Sequence, residues 1–182
     1  MKILIAANLA SNHTIRWVHA LHSRGIELVL FGLTDFNYEK YNNIDNLRIY
    51  SSKHPENLHK SENKFKKLSF LFAVRELKKI LEKEKPDILH AHYASSYGMM
   101  CALANYKPFI VSVWGSDVYS FPHSSIIAKK IIKYTLHKAS YIFSTSYDMA
   151  REANLYTNKH IDITPFGVDT SIFKNTSKRL FF

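Results

Sequence analysis

Short, wholly apolar runs recur along this chain, and between them apolar residues return at helical spacing. No other feature limits the possible folds as much. A first strand is expected at residues 2–7, where Lys2 is followed by a continuous apolar run, as in a strand buried on both faces. Residues 11–24 follow with helical spacing through Ile15, Val18 and Leu21, with Ser11 or Asn12 to cap the start and Gly25 to close the end. The alternation then repeats. Strands are expected at 27–32, 47–50, 85–93, 108–114, 141–144 and 161–165, and helices at 64–84, 95–106, 124–138 and 147–153. The segments "TDFNYEKYNN" and "SSKHPENLHKSEN" read as connections. Apolar strands joined by crossovers long enough for helices predict an α/β fold, a doubly wound and mostly parallel sheet with helices on both faces.

In such a sheet, ligands lie beyond the carboxyl ends of the strands, where the strand order reverses. With the common order 3-2-1-4-5-6, the crevice falls after the first and fourth strands, at residues 8–13 and 93–98. The loop 115–123 forms the next wall. Three stretches there carry candidate chemistry. In "AANLASNHTIRW" there is no G-x-G-x-x-G, so the dinucleotide fingerprint is absent. Asn8, Ser11, Asn12, His13 and Arg16 instead stand at a helix N-terminus, whose free amides and dipole favour an anion. The plain alternative is capping by Ser11 and Asn12 with a solvated His13.

In "DILHAHYASSYG", His90 and His92 share one face of a strand. A metal pair is one reading, but neither a carboxylate nor a cysteine cluster completes a shell. The favoured reading packs one His in the sheet and sets His92 at the crevice. Tyr93, Ser95 and Ser96 then offer hydroxyls and Gly98 a close backbone approach. In "VSVWGSDV", the strand ends at Trp114-Gly115-Ser116-Asp117, where Ser116 and Asp117 either accept from ligand hydroxyls or cap a local turn.

Charge narrows the partners. The 25 Lys and Arg outweigh 15 Asp and Glu, a net +10 at pH 7, which favours anionic partners. Helix 124–138 is expected to turn Ile127, Ile131 and Tyr134 inward. Lys129, Lys133 and His137 take another face, with Lys130 and Lys138 beside it. Helix 64–84 adds Lys66, Lys67, Arg75, Lys78 and Lys79. These lysines form either a solvated face or a docking surface for anionic lipid. The single Cys101 reads as a small buried hydrophobe, and cysteine usage fits a cytoplasmic protein. The first apolar run turns polar at Asn8, which reads as a strand and not a signal peptide, and no stretch has the length of a membrane span. Neither a nucleophile elbow, a phosphate-binding Walker loop nor a nucleic-acid module is present, so nucleic-acid binding by the basic faces ranks last.

Taken together, the stretches resemble the N-terminal domain of GT-B glycosyltransferases of family 4. "MKILIAANLASNHTIRWVHALHSRGIEL" resembles members that open with a strand and a Ser-x-His-Thr-x-Arg-Trp run. "KPDILHAHYASSYGMMCAL" resembles their Pro-Asp-hydrophobic-His-x-His strand, and "PFIVSVWGSDV" their strand ending in His- or Trp-Gly-Ser-Asp. "ASYIFSTSYDMAREA" and "IDITPFGVDTSIF" resemble the approach to the interdomain hinge.

The resemblance implies two Rossmann-like domains across a cleft. It also implies sugar transfer from a nucleotide-sugar donor to a saccharide or lipid-linked acceptor in cell-surface glycan synthesis, with no metal or other cofactor. Residues 1–174 then match the acceptor-side domain, 175–182 a stump, and Gly167, Val168 and Asp169 the hinge. The donor half with its Glu-x7-Glu motif is not among these 182 residues, so the expectation is acceptor binding without turnover. A cleft face lacking its partner domain is expected to favour self-association. Asp117 matches the acidic, catalytic position of the Gly-Ser-Asp loop, while Trp114 stands where many relatives carry His. The basic helices, Lys66, Lys67, Lys129, Lys130 and Lys133 among them, fit peripheral attachment at the inner face of a bacterial membrane. The rival reading is a non-catalytic α/β module that binds a phosphorylated or anionic membrane partner.

Overall fold

The computed structural model describes residues 1–34, 38–52, 63–168 and 170, with the backbone alone for 63–69. Seven parallel strands form one sheet: β1 (Lys2–Ala6), β2 (Glu27–Gly32), β3 (Arg48–Ser51), β4 (Ile88–His92), β5 (Phe109–Val113), β6 (Tyr141–Ser144) and β7 (Ile161–Ile163). Their order is β3-β2-β1-β4-β5-β6-β7, so the direction of winding reverses between β1 and β4. The helices are α1 (Asn12–His22), α2 (Asn63–Glu84), α3 (Tyr97–Ala104), α4 (Ser116–Tyr119), α5 (Ile126–Lys138) and α6 (Tyr147–Ala153). Among the described residues, two single 3₁₀ turns, Tyr38–Tyr41 and Phe121–His123, lie in segments expected to be loop.

The central strands β1, β4 and β5 are mostly apolar because both faces are covered, with His90, His92 and Ser112 as buried polar residues among them. Leu4 and Ala6 of β1 join the larger core with Leu77 of α2, Met100 of α3 and Ile132 of α5. Ile3 and Ile5, on the opposite face, join the smaller core with Val18 of α1 and Tyr41. Successive strand side chains point to opposite faces, so a one-residue shift in register would exchange the two cores.

The face of α5 differs from expectation. Its buried residues are Ala128, Ile132, Thr135 and Leu136, whereas Ile127 is 71% exposed and Ile126 78% exposed. The helix carries isoleucines around much of its circumference, so periodicity alone leaves its rotation open. Close approach to α3 settles it. A Cβ placed on Gly98 would meet Thr135 Cγ2 at 2.8 Å, so the small residue sets where α5 rests.

The opposite end of the sheet is tied by charge. Glu84 is buried, accepts from the Tyr50 hydroxyl at 2.5 Å, and pairs with Arg48 Nε at 3.0 Å. Lys2 Nζ donates to the Glu84 carbonyl at 2.9 Å. These contacts fasten the end of α2 to β1 and β3, and so set the approach into β4.

Candidate functional site at the reversal of strand order

At the carboxyl ends of β1, β2, β4 and β5 the chain leaves the sheet in four successive loops, which enclose a cavity of about 660 Å³. Asn8, Ser11 and His13 come from the β1–α1 connection, and His92, Tyr93 and Ser96 from the end of β4. Trp114 comes from β5. These seven were singled out in the sequence. Leu33, Thr34 and Tyr97 complete the lining and were not. The signal for the first two was their place just past β2, since Tyr97 Oη accepts from Leu33 N and so draws that loop into the wall.

His92 forms the floor. It is 1% exposed, and the Trp114 ring lies across it at 4.4 Å. His13 meets Trp114 edge-on at 5.7 Å and stacks on Phe166 at 4.0 Å. Behind the floor, His90 Nε2 and Ser112 Oγ share a hydrogen bond of 2.8 Å. Burial lowers the pKa of His90 to about 4. It lowers that of His92 well below its ordinary value, with His90 and His13 adding to the effect. Both rings are therefore neutral at neutral pH. His92 Nδ1 is 3.4 Å from the buried Thr14 hydroxyl, while its Nε2 is buried without a protein partner. A buried ring nitrogen left unpaired carries a desolvation cost that a hydrogen-bond donor or acceptor brought to it would relieve.

The start of α1 adds an electropositive edge. Ser11 holds the N-cap position in an extended conformation, yet its side chain makes no capping bond. Asn8 Oδ1 instead accepts from Ala10 N at 3.0 Å, which turns the loop beneath the helix end. Asn12 faces away, accepting from Lys40 Nζ at 3.3 Å. Arg16 donates to the Gly167 carbonyl and lines a neighbouring groove of about 470 Å³ with Trp17 and Phe166. Neither Asn12 nor Arg16 lines the main cavity, a correction to the grouping expected from sequence. The helix turns them to its outer side.

The Gly-Ser-Asp loop is built differently from the expected wall. Asp117 is fully buried. Its Oδ1 accepts from Gly115 N at 2.8 Å and Trp114 N at 3.1 Å, and its Oδ2 from Ala94 N at 2.8 Å. Burial raises its pKa, and these amides oppose the rise. The carboxylate thus braces the ends of β4 and β5 against each other and is turned away from the cavity. Gly115 has φ 139°, a conformation that suits glycine and lets its amide turn toward that carboxylate. Ser116 lies outside the cavity lining and bonds the Tyr93 hydroxyl. Gly98, expected to approach a ligand, is buried against Thr135 and the Tyr93 carbonyl. The side chains of Lys66 and Lys67, and the whole of Asp169, lie outside the described residues.

A cavity at the reversal point, with an aromatic wall and a rim of hydroxyls, suits a sugar, and sequence comparison decides the family. The pattern of the family described as Glycosyl transferase 4-like matches residues 2–146. The chain belongs to that family. TuaC of Bacillus subtilis (strain 168), which its name assigns to teichuronic acid biosynthesis as a glycosyltransferase, is 29% identical over 96 residues. That match covers 51% of this chain and 25% of TuaC, so this chain corresponds to a minor part of that relative's length.

Among solved structures, sucrose-phosphate synthase from Thermosynechococcus elongatus superposes with a TM-score of 0.69 at 13% identity, over 95% of this chain and 50% of that one. The UDP-GlcNAc 2-epimerase of Neisseria meningitidis bound to UDP-GlcNAc gives 0.64 at 14% identity, over 90% and 46%. Anabaena HepE, in complex with UDP and glucose, gives 0.64 at 12% identity, over 97% and 47%. At such identities the likeness shows the fold: one Rossmann-like unit, about half of each larger chain.

Proposed function

We propose that this family member is the acceptor-binding half of a glycosyltransferase that moves a sugar from a nucleotide-sugar donor to a saccharide or lipid-linked acceptor in cell-surface glycan synthesis. The observation that carries the reading is the cavity floored by His92, whose ring packs against Trp114 and whose Nε2 is buried without a protein partner. A sugar ring has apolar C–H faces and a polar edge. Trp114 and His13 receive the first, while Ser96, Tyr93 and His92 Nε2 receive the second. Asn8, Ser11 and the uncapped start of α1 face the donor's phosphates, where amide dipoles stabilise negative charge. Asp117 acts by position: it holds Trp114 over His92 and does not itself meet the substrate.

In this reading the leaving diphosphate is held by a second domain across the cleft, so residues 1–182 bind acceptor without sustained turnover. No metal or other cofactor is called for. The test is incubation of the chain with a panel of nucleotide sugars and of saccharide and lipid-linked acceptors. Acceptor binding without accumulating product is expected, and His92→Phe weakens that binding about ten-fold, as the loss of one buried hydrogen bond implies. Sustained product formation by the chain alone, or acceptor affinity unaffected by His92→Phe, contradicts it.

A further inference from the structure

His92 is neutral, so one of its ring nitrogens donates and the other accepts, and the residue placed to decide between them is Thr14. Thr14 and Val18, one helical turn apart, are the buried residues of α1. That face lays Thr14 against the end of β4, where its hydroxyl lies 3.4 Å from His92 Nδ1. Thr14 is fully buried, and among the described residues its hydroxyl has no other hydrogen-bond partner. Three rings hold the imidazole in place: Trp17 at 5.7 Å, His90 at 4.7 Å and Trp114 at 4.4 Å. Its Nε2 is buried with no protein partner. His92 lines the cavity, and Thr14 does not.

We propose that Thr14 is a positioning residue: its hydroxyl donates to His92 Nδ1 and fixes the ring proton on Nε2, so that the cavity floor presents an N–H donor to an oxygen of the bound sugar. The two possible pairings leave different groups unpaired. With Nδ1–H donating to Thr14, both the hydroxyl hydrogen and the Nε2 lone pair stay unpaired. The first is out of reach of a ligand, because Thr14 does not line the cavity. With the hydroxyl donating, only Nε2–H stays unpaired, on the residue that does line it. Each buried group without a partner biases such an equilibrium by about ten-fold, so the second pairing prevails. The consequence is selectivity. A ring ether or hydroxyl oxygen is accepted at this point of the floor, whereas a protonated amino group is refused. The selectivity rests on the reading of the cavity as a sugar site; the position of the proton does not.

The proton is located by long-range ¹H–¹⁵N correlation of the imidazoles in the ¹⁵N-labelled chain at neutral pH, with His92 assigned by the loss of its signals in His92→Phe. The ligand-free chain is expected to show a pyrrole-type Nε2 and a pyridine-type Nδ1, the latter shifted by the bond it accepts. Thr14→Val keeps the volume of the side chain and removes the hydroxyl, so the Nδ1 signal moves and the two tautomers mix. Thr14→Ser restores the original pattern. Amide spectra check that each variant is folded, and should Thr14→Val fail to fold, the type of Nδ1 in the unaltered chain still decides. For the saccharide of the panel that binds best, Thr14→Val lowers affinity about three- to ten-fold, and Thr14→Ser returns it to within about two-fold. A pyrrole-type Nδ1 in the unaltered chain, an Nδ1 signal that Thr14→Val leaves in place, or equal saccharide affinity in Thr14→Val overturns the proposal. Should the NMR pattern hold while no saccharide binds, the assignment of the proton stands and the reading of the cavity as a sugar site falls by itself.

Discussion

Asp117 braces the loops of the candidate site without lining its cavity. Its carboxylate takes three backbone amides from two loops, at Ala94, Trp114 and Gly115. Removing it leaves those buried donors without an acceptor. Asp117→Ala is therefore expected to lower unfolding free energy by about 2–4 kcal/mol, read from denaturant midpoints, through unpaired buried groups. If it instead leaves stability unchanged and abolishes ligand binding, the carboxylate faces the ligand after all. In the sequence the two roles look identical, since an acid after Gly-Ser at a strand end suits either. Local spacing held no sign that Ala94, 23 positions away, would supply an amide. His92 was more legible. Alternation with His90 and a place at the strand end put it at the crevice, and the structure adds its burial and the free nitrogen.

Among the elements, strands were easiest to read, because full burial leaves an uninterrupted apolar run such as residues 28–31 of β2. Residues 141–144 and 147–153 were recovered at their observed limits for a related reason: Ser146 marks the boundary between them. Its hydroxyl accepts from Met149 N at 3.2 Å. The same device starts α5, where Ser125 Oγ accepts from Ala128 N at 3.1 Å. Ser125→Ala should cost about 1 kcal/mol, the usual value of an N-cap, measured as a shift in thermal midpoint. Ser11→Ala should cost much less, since Ser11 makes no cap bond. Equal losses at the two positions would contradict the view that α1 keeps its first amides free. What the helices concealed was rotation. α5 has too many isoleucines for periodicity to choose a face, and the choice rests on the contact of Gly98 with Thr135, which no window of local sequence contains.

For the whole molecule, the buried histidines make stability depend on pH. His90 falls from an ordinary value of 6.5 to about 4, and His92 is lowered in the same direction. Below pH 6.5 the unfolded chain takes up protons that the folded chain refuses, so stability rises with pH in this range. The contribution is complete above 6.5 and is lost as pH falls toward 4. Asp117, raised by burial, acts in the opposite sense at the acid end. Thermal midpoints should fall as pH drops from neutral to about 4, and His92→Phe should flatten the fall. A midpoint that stays level would show that neither ring is buried in solution.

The order of the strands could be anticipated because parallel sheets wound with one handedness allow few alternatives. It fixes which loops meet. The central claim is that the loops after β1, β4 and β5 form a carbohydrate site. Its most direct measurement is a ¹⁵N–¹H NMR titration of the chain with a panel of oligosaccharides and nucleotide sugars. The account predicts shifts confined to Asn8–His13, His92–Tyr97 and the Trp114 indole. No shift with any member of the panel at millimolar concentration, or shifts gathered at α2 or at the amino ends of the strands, would contradict it.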